Sequence, residues 1–127
     1  MEFLIDKTKE FEVKIYAVDA DGSMKMSLDA SELKEDDAVV PEELVFKFSY
    51  PCYIDSVELT RLAFTSDGDE YNLDIAMFSY ERLNRLLKSW NIVDAEGNAV
   101  PSDRDHVDLL NPILSELLLT ALDEALS

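Results

Sequence analysis

The sequence predicts an α+β domain, a small antiparallel sheet from the amino-terminal half with carboxyl-terminal helices packed on one face of it. Three observations predict this. Apolar and polar residues alternate with a period of two in several segments before Pro51. After Leu73 the apolar positions recur at steps of three and four. The 127 residues hold 47% hydrophobic side chains, which is material for one core and leaves no room for a second. A single domain over residues 1–127 is therefore expected, mainly strands over 11–50 and mainly helices over 55–126.

Phe11, Val13, Ile15 and Ala17 share one face of an extended segment, with Glu12, Lys14 and Tyr16 on the other. Asp21-Gly22 follows as a turn, and Met24, Met26 and Leu28 alternate after it, so residues 11–28 read as a hairpin. Residues 29–43 carry seven acids against Lys34, a solvated and mobile connection with a short helix after Ser31. Leu44, Phe46, Phe48 and Tyr50 alternate up to Pro51, the clearest strand in the chain. Asp55 and Glu58 fit a capping box for a helix over about 56–65, against which stands the alternation of Val57, Leu59, Arg61 and Ala63; Ser66 to Asp69 then reads as a loop.

From Leu73 to Trp90 the apolar positions 73, 76, 77, 80, 83, 86, 87 and 90 form one stripe along a predicted five-turn helix. Asn91 to Pro101 is turn-rich. Ser102 is expected to start a short helix, with Asp105 three residues on. Asn111 caps a last helix whose first position is Pro112, where a missing N–H costs nothing. That helix places Ile113, Leu114, Leu117, Leu118, Ala121, Leu122 and Ala125 on one face, widened by Leu119 and Leu126.

Composition narrows the function. With 28 acidic residues against 11 Lys and Arg, the net charge of -17 opposes nucleic acid and anionic lipid, so neither is an expected partner. No apolar run approaches the roughly 20 residues of a bilayer span. The single cysteine, Cys52, and the lack of a signal-type amino terminus point to the cytoplasm. Catalytic patterns are missing too. His106 is the only histidine and reads as a surface residue; Cys52 reads as a small buried hydrophobe. The glycines at 22, 68 and 97 are isolated, so no dinucleotide fingerprint or phosphate loop can be built. Aligned at position six of a twelve-residue calcium loop, they put Ala17, Ala63 or Ile92 at position one, where a carboxylate is required. No catalytic residue, metal site or cofactor is expected.

Two features remain as candidate partner-binding surfaces. Arg82, Arg85 and Lys88, spaced by three, form either a solvated strip paired internally with carboxylates or a docking patch. The leucines of the last helix, above all Leu114, Leu117, Leu118 and Leu122, spread too widely for one narrow stripe. They are either buried on several sides within the domain or shared with another chain, a second copy included.

Leu87-Lys88-Ser89-Trp90-Asn91, then Asp94-Ala95-Glu96-Gly97-Asn98, Val100-Pro101-Ser102 and Leu109 to Pro112, preceded by the strand Val45 to Pro51, resemble in order and spacing the carboxyl-terminal half of small tail-assembly chaperones and related morphogenesis proteins of long-tailed bacteriophages. Residues 1–43 match nothing in that pattern. The resemblance implies a non-enzymatic factor in the host cytoplasm that binds the tape-measure protein transiently, and it admits a longer product made by ribosomal frameshifting. Two other classes compete: a virion subunit of the tail or head-tail connector, and an acidic decoy occupying the nucleic-acid site of a host defence protein. An enzyme of unrecognised type is disfavoured by the missing constellations.

Overall fold

The computed structural model describes residues 2–20, 22–33, 40–67 and 70–127. The expected α+β architecture is present. Strands β1 (Glu10–Ala20), β2 (Ser23–Ser27), β3 (Glu42–Ser49) and β6 (Leu87–Trp90) form an antiparallel sheet in the order β2-β1-β3-β6. Between β3 and β6 the chain makes helix α1 (Tyr53–Ala63), a separate two-stranded ribbon of β4 (Phe64–Asp67) and β5 (Glu70–Leu73), and helix α2 (Ile75–Leu86). Helices α3 (Arg104–Val107) and α4 (Pro112–Leu126) complete the described elements.

The alternation read from the sequence sets the sheet's two faces. Register pairs Phe11 with Phe48, Val13 with Phe46 and Ile15 with Leu44 on the inner face. On the outer face Glu12 lies opposite Lys47, and Lys14 reaches Glu43 at 3.3 Å. Ile15, Phe46 and Phe48 are fully buried under α4 and α2, in a core that also takes Leu83, Leu86, Leu87 and Val107. Phe11 stacks on Phe48 with ring centres 5.8 Å apart. The hairpin β1–β2 forms as expected, and Gly22 supplies the positive φ of 81° that its turn requires. A short 3-10 turn, Ala30–Leu33, stands where a short helix is expected, while the rest of the acidic connection, residues 34–39, lies outside the described residues.

The predicted helix over 73–90 is in fact three elements: Leu73 ends β5, α2 covers only Ile75–Leu86, and the chain then becomes β6. A β-bulge explains why the apolar spacing misleads. Phe46 pairs with Trp90 and Lys47 with Ser89, but Phe48 pairs with Leu87, so Lys88 is the extra residue. Leu87 and Trp90, three apart, thus face the same side, imitating helical spacing within a strand. Trp90 packs edge-on against Phe46 with centroids 6.2 Å apart and donates its indole N–H to the Val100 carbonyl at 2.7 Å.

Two helix starts also shift. α1 begins at Tyr53, with Asp55 accepting from the Cys52 backbone N–H at 2.8 Å, so Asp55 sits in the first turn and Cys52 is the cap. α3 begins after Asp103, whose Oδ1 accepts from the His106 N–H, whereas the Ser102 hydroxyl donates to the Lys88 carbonyl at 3.2 Å. The start of α4 is as expected, with Asn111 Oδ1 accepting from the Ile113 N–H at 2.9 Å and Pro112 in the first turn.

Candidate functional site

The predicted leucine surface turns inward. α4 lies across β1 and touches β2, and it drives Leu114, Leu118, Ala121 and Leu122 into the core formed by the inner face of the sheet and by α2. Leu118 and Leu122 have no exposed surface, Leu114 is buried, and Leu117 is half-buried. Of the two readings left open, burial within the domain is the one realised. The face is broad because the helix has the sheet beneath it and α2 and α3 residues beside it, all contributing to one cluster. These leucines are not an accessible handle for a partner.

The predicted positive strip is likewise dispersed. Arg82 on α2 pairs with Asp123 of α4, and Arg85 donates to Asp55 at 2.6 Å. Lys88 stands exposed on β6, turned away from the helix because α2 ends two residues earlier. Two of the three cations are thus taken up by ion pairs within the chain, Arg82 at the surface and Arg85 on the buried Asp55. Arg104, from α3, forms a two-pronged ion pair with Glu81 at 2.9 Å for both contacts and lies 5.3 Å from the Tyr80 ring centre. That pair holds the Glu81 carboxyl below its ordinary range.

Asp55 is the residue that reading the sequence as a helix cap undervalues. It is only 4% exposed, and its carboxylate accepts from Lys7 at 2.7 Å, from the Cys52 N–H and from Arg85. Burial alone pushes its carboxyl up, but the bonds from Lys7, Cys52 and Arg85 prevail and hold it far below the usual carboxylate range. Lys7 also donates to the Tyr50 carbonyl at 2.6 Å. One carboxylate therefore ties together the amino-terminal segment, the start of α1 and the last turn of α2. Arg85 and Lys7 give no local sequence signal of this, since their separations from Asp55 are 30 and 48 residues.

The uncovered apolar surface lies elsewhere, on the ribbon. Phe64 pairs with Leu73 and Ser66 with Tyr71, which places Phe64, Tyr71 and Leu73 on one face; Thr65 and Asn72, a pair themselves, take the other with Glu70. Phe64 is 45% exposed, Tyr71 75% and Leu73 46%. Leu62, Ile75 and Met77, which flank the ribbon in sequence, are exposed as well. The base is firm: the Asp74 N–H donates to the carbonyl of the fully buried Ala63 at 2.8 Å, and Asp74 caps α2 through the Met77 N–H. The sequence signal for the ribbon is present, an alternation of Phe64 and Ser66 against Tyr71 and Leu73 around Asp67-Gly68, where a plain loop is expected.

Among the described residues no nucleophile-base pair accompanies these surfaces. His106 sits on α3 with its ring on Asp103, and Cys52 is half-buried at the cap of α1. Asp94 accepts from the backbone N–H groups of Glu96 and Asn98, closing its turn with Gly97 at positive φ. Among the described residues no group of three or more acidic, His or Cys side chains is arranged to hold a metal, and no helix is long and apolar enough to cross a membrane. Comparison with protein-family models, with curated proteins and with solved structures gives no match to this chain.

Proposed function

We propose that the chain is a non-enzymatic bacteriophage morphogenesis factor, a tail-assembly chaperone that binds the tape-measure protein in the host cytoplasm and keeps it dissolved. The observation that carries this reading is the coexistence of large apolar side chains standing in water, Tyr53 and Ile54 on α1 and Phe64, Tyr71 and Leu73 on the ribbon, with a net charge of -17. Uncovered apolar surface of this kind marks a partner site, and a strongly charged remainder keeps the resulting complex in solution. The segment that resembles the phage proteins supplies the frame: Trp90 packs the core, Asn91 continues the pairing of β3, and Asn111 caps α4. The binding surface itself lies between the segments that carry the resemblance, on residues 53–77.

Coexpression with a coiled-coil tape-measure protein tests this. The chain is expected to raise the soluble fraction of that client and to copurify with it; an unchanged soluble fraction overturns the reading. The open edges of β4 and β5 support a second reading, a stoichiometric tail or connector subunit whose neighbours complete the ribbon. Mass spectrometry of purified particles separates the two, since a transient chaperone is absent at subunit stoichiometry.

A further inference from the structure

We infer that the apolar face of the β4–β5 ribbon is the docking site for a basic amphipathic helix of a partner protein. This deepens the chaperone reading and rests on it for the partner being a client. Four observations carry it.

The first is the ribbon's own geometry. A lone two-stranded antiparallel pair is marginal in water, and this one leaves all four β5 residues exposed. Its base is nonetheless fixed between two helices by the Asp74–Ala63 hydrogen bond, so the ribbon is positioned before any partner arrives. The second is its two-sidedness. Phe64, Tyr71 and Leu73 share one face, while Thr65, Asn72 and Glu70 make the other polar, so only one face has apolar surface to give up.

The third is charge. The chain carries a net charge of -17. A cationic occupant is attracted to such a molecule, whereas a second copy of the chain brings its own -17. The fourth is length. A strand of four residues spans roughly 13 Å, and a helix rising about 1.5 Å per residue covers that in two to three turns. That is the reach of a stripe of apolar residues at i, i+3, i+4 and i+7.

The test titrates the full chain with two labelled peptides of identical composition and fluorescence anisotropy as readout. In one, leucines form a stripe opposite lysines and arginines; in the other, the same residues are spread around the helix, so both carry the same charge. The chain is expected to bind the striped peptide about tenfold or more tighter than the spread one, because charge attraction is common to both. Replacing Phe64→Ser, Tyr71→Ser and Leu73→Ser together is expected to abolish that difference, and Tyr71→Ser alone, at a residue three-quarters exposed, to shrink it without disturbing the fold. Val93→Ser with Leu109→Ser, exposed positions elsewhere, is expected to leave it intact.

Equal binding of both peptides overturns the inference, as does a difference that survives the triple replacement. Self-association of the chain that the triple replacement disperses also overturns it, because the face would then belong to a second copy. A peptide preference lost in the triple variant while the tape-measure client is still kept soluble overturns the assignment of this face to the client alone. A peptide preference retained where no client is solubilised upholds the docking face and overturns the chaperone reading instead.

Discussion

The β1–β3 pair and the β4–β5 ribbon are built by the same local rule and end in opposite environments. In each, antiparallel register puts large apolar side chains opposite one another: Val13 faces Phe46 in the sheet, and Phe64 faces Leu73 in the ribbon. Phe46 is fully buried because α4, more than 60 residues later in the chain, closes over it; nothing in the described chain covers Phe64 to the same degree. Alternation decides which side chains share a face. Whether that face meets protein or water is decided by a third element, and for the ribbon that element is not supplied by the described residues.

The sharpest way to break this contrast is to make one truncation in each place. Phe46→Ala is expected to cost about 3–5 kcal/mol of unfolding free energy, through lost burial and the cavity left behind. Phe64→Ala is expected to cost about 1 kcal/mol or less, since much of its ring is already in water. Urea titration measures both, and comparable losses would mean that the ribbon is packed as tightly as the sheet.

Asp55 comes next, as the pin between the amino-terminal segment and the two helices that flank the ribbon. Asp55→Ala leaves Arg85 and Lys7 without their shared partner and is expected to cost about 3 kcal/mol, toward the low end for a broken buried ion pair because both cations keep access to water. Its pH dependence has a definite sign. The folded carboxyl titrates below its unfolded value of about 3.9, so its contribution is full at neutral pH and is lost as the pH falls through and below that value. The stability gap between the wild type and Asp55→Asn, measured by urea unfolding, is expected to be wide at pH 7 and to narrow toward pH 3. Taking the gap removes the general relief of repulsion that acid brings to a molecule with 28 carboxylate side chains.

A smaller effect is expected at Asn91. Its side chain extends the edge of β3, accepting from the Val45 N–H at 2.8 Å and donating to the Glu43 carbonyl at 3.0 Å. Asn91→Ala is expected to cost about 1 kcal/mol, because water can replace both exposed bonds in part. The smallest effect belongs to Tyr71→Ser, where the melting temperature is expected to hold within the scatter of ordinary surface changes, about 0.5 kcal/mol, while peptide discrimination falls.

Much of the sheet is legible in the sequence because period-two alternation over Phe11 to Ala17 and Leu44 to Tyr50 survives in the structure with the expected faces. The caps of α4 are legible because Asn111 and Pro112 act on their nearest neighbours. What is lost involves partners distant along the chain. Leu87 and Trp90 follow a helical step, but the free edge of β3 offers hydrogen bonds that a continued helix would forgo, and the edge prevails. The leucines of α4 look like surplus until the sheet and α2 close over both flanks. Arg82 and Arg85 look like a strip until Asp123 and Asp55, on two other helices, claim them separately. The ribbon is different, since its signal is local, an Asp-Gly pair between alternating residues, which the polar run Ser66 to Asp69 disguises as a plain loop.

The unpaired residue at Lys88 works as a phase shifter between two periodicities. Upstream, Leu83 and Leu86 are delivered to the interior by a winding of 3.6 residues; downstream, the chain must keep presenting greasy groups while advancing two at a time. Skipping one rung lets it change gait without turning Trp90 out to solvent. The position should therefore accept almost any side chain, as in Lys88→Ala, and even its own removal: excising residue 88 would leave Leu87 and Trp90 two apart in a regular strand, still on one side.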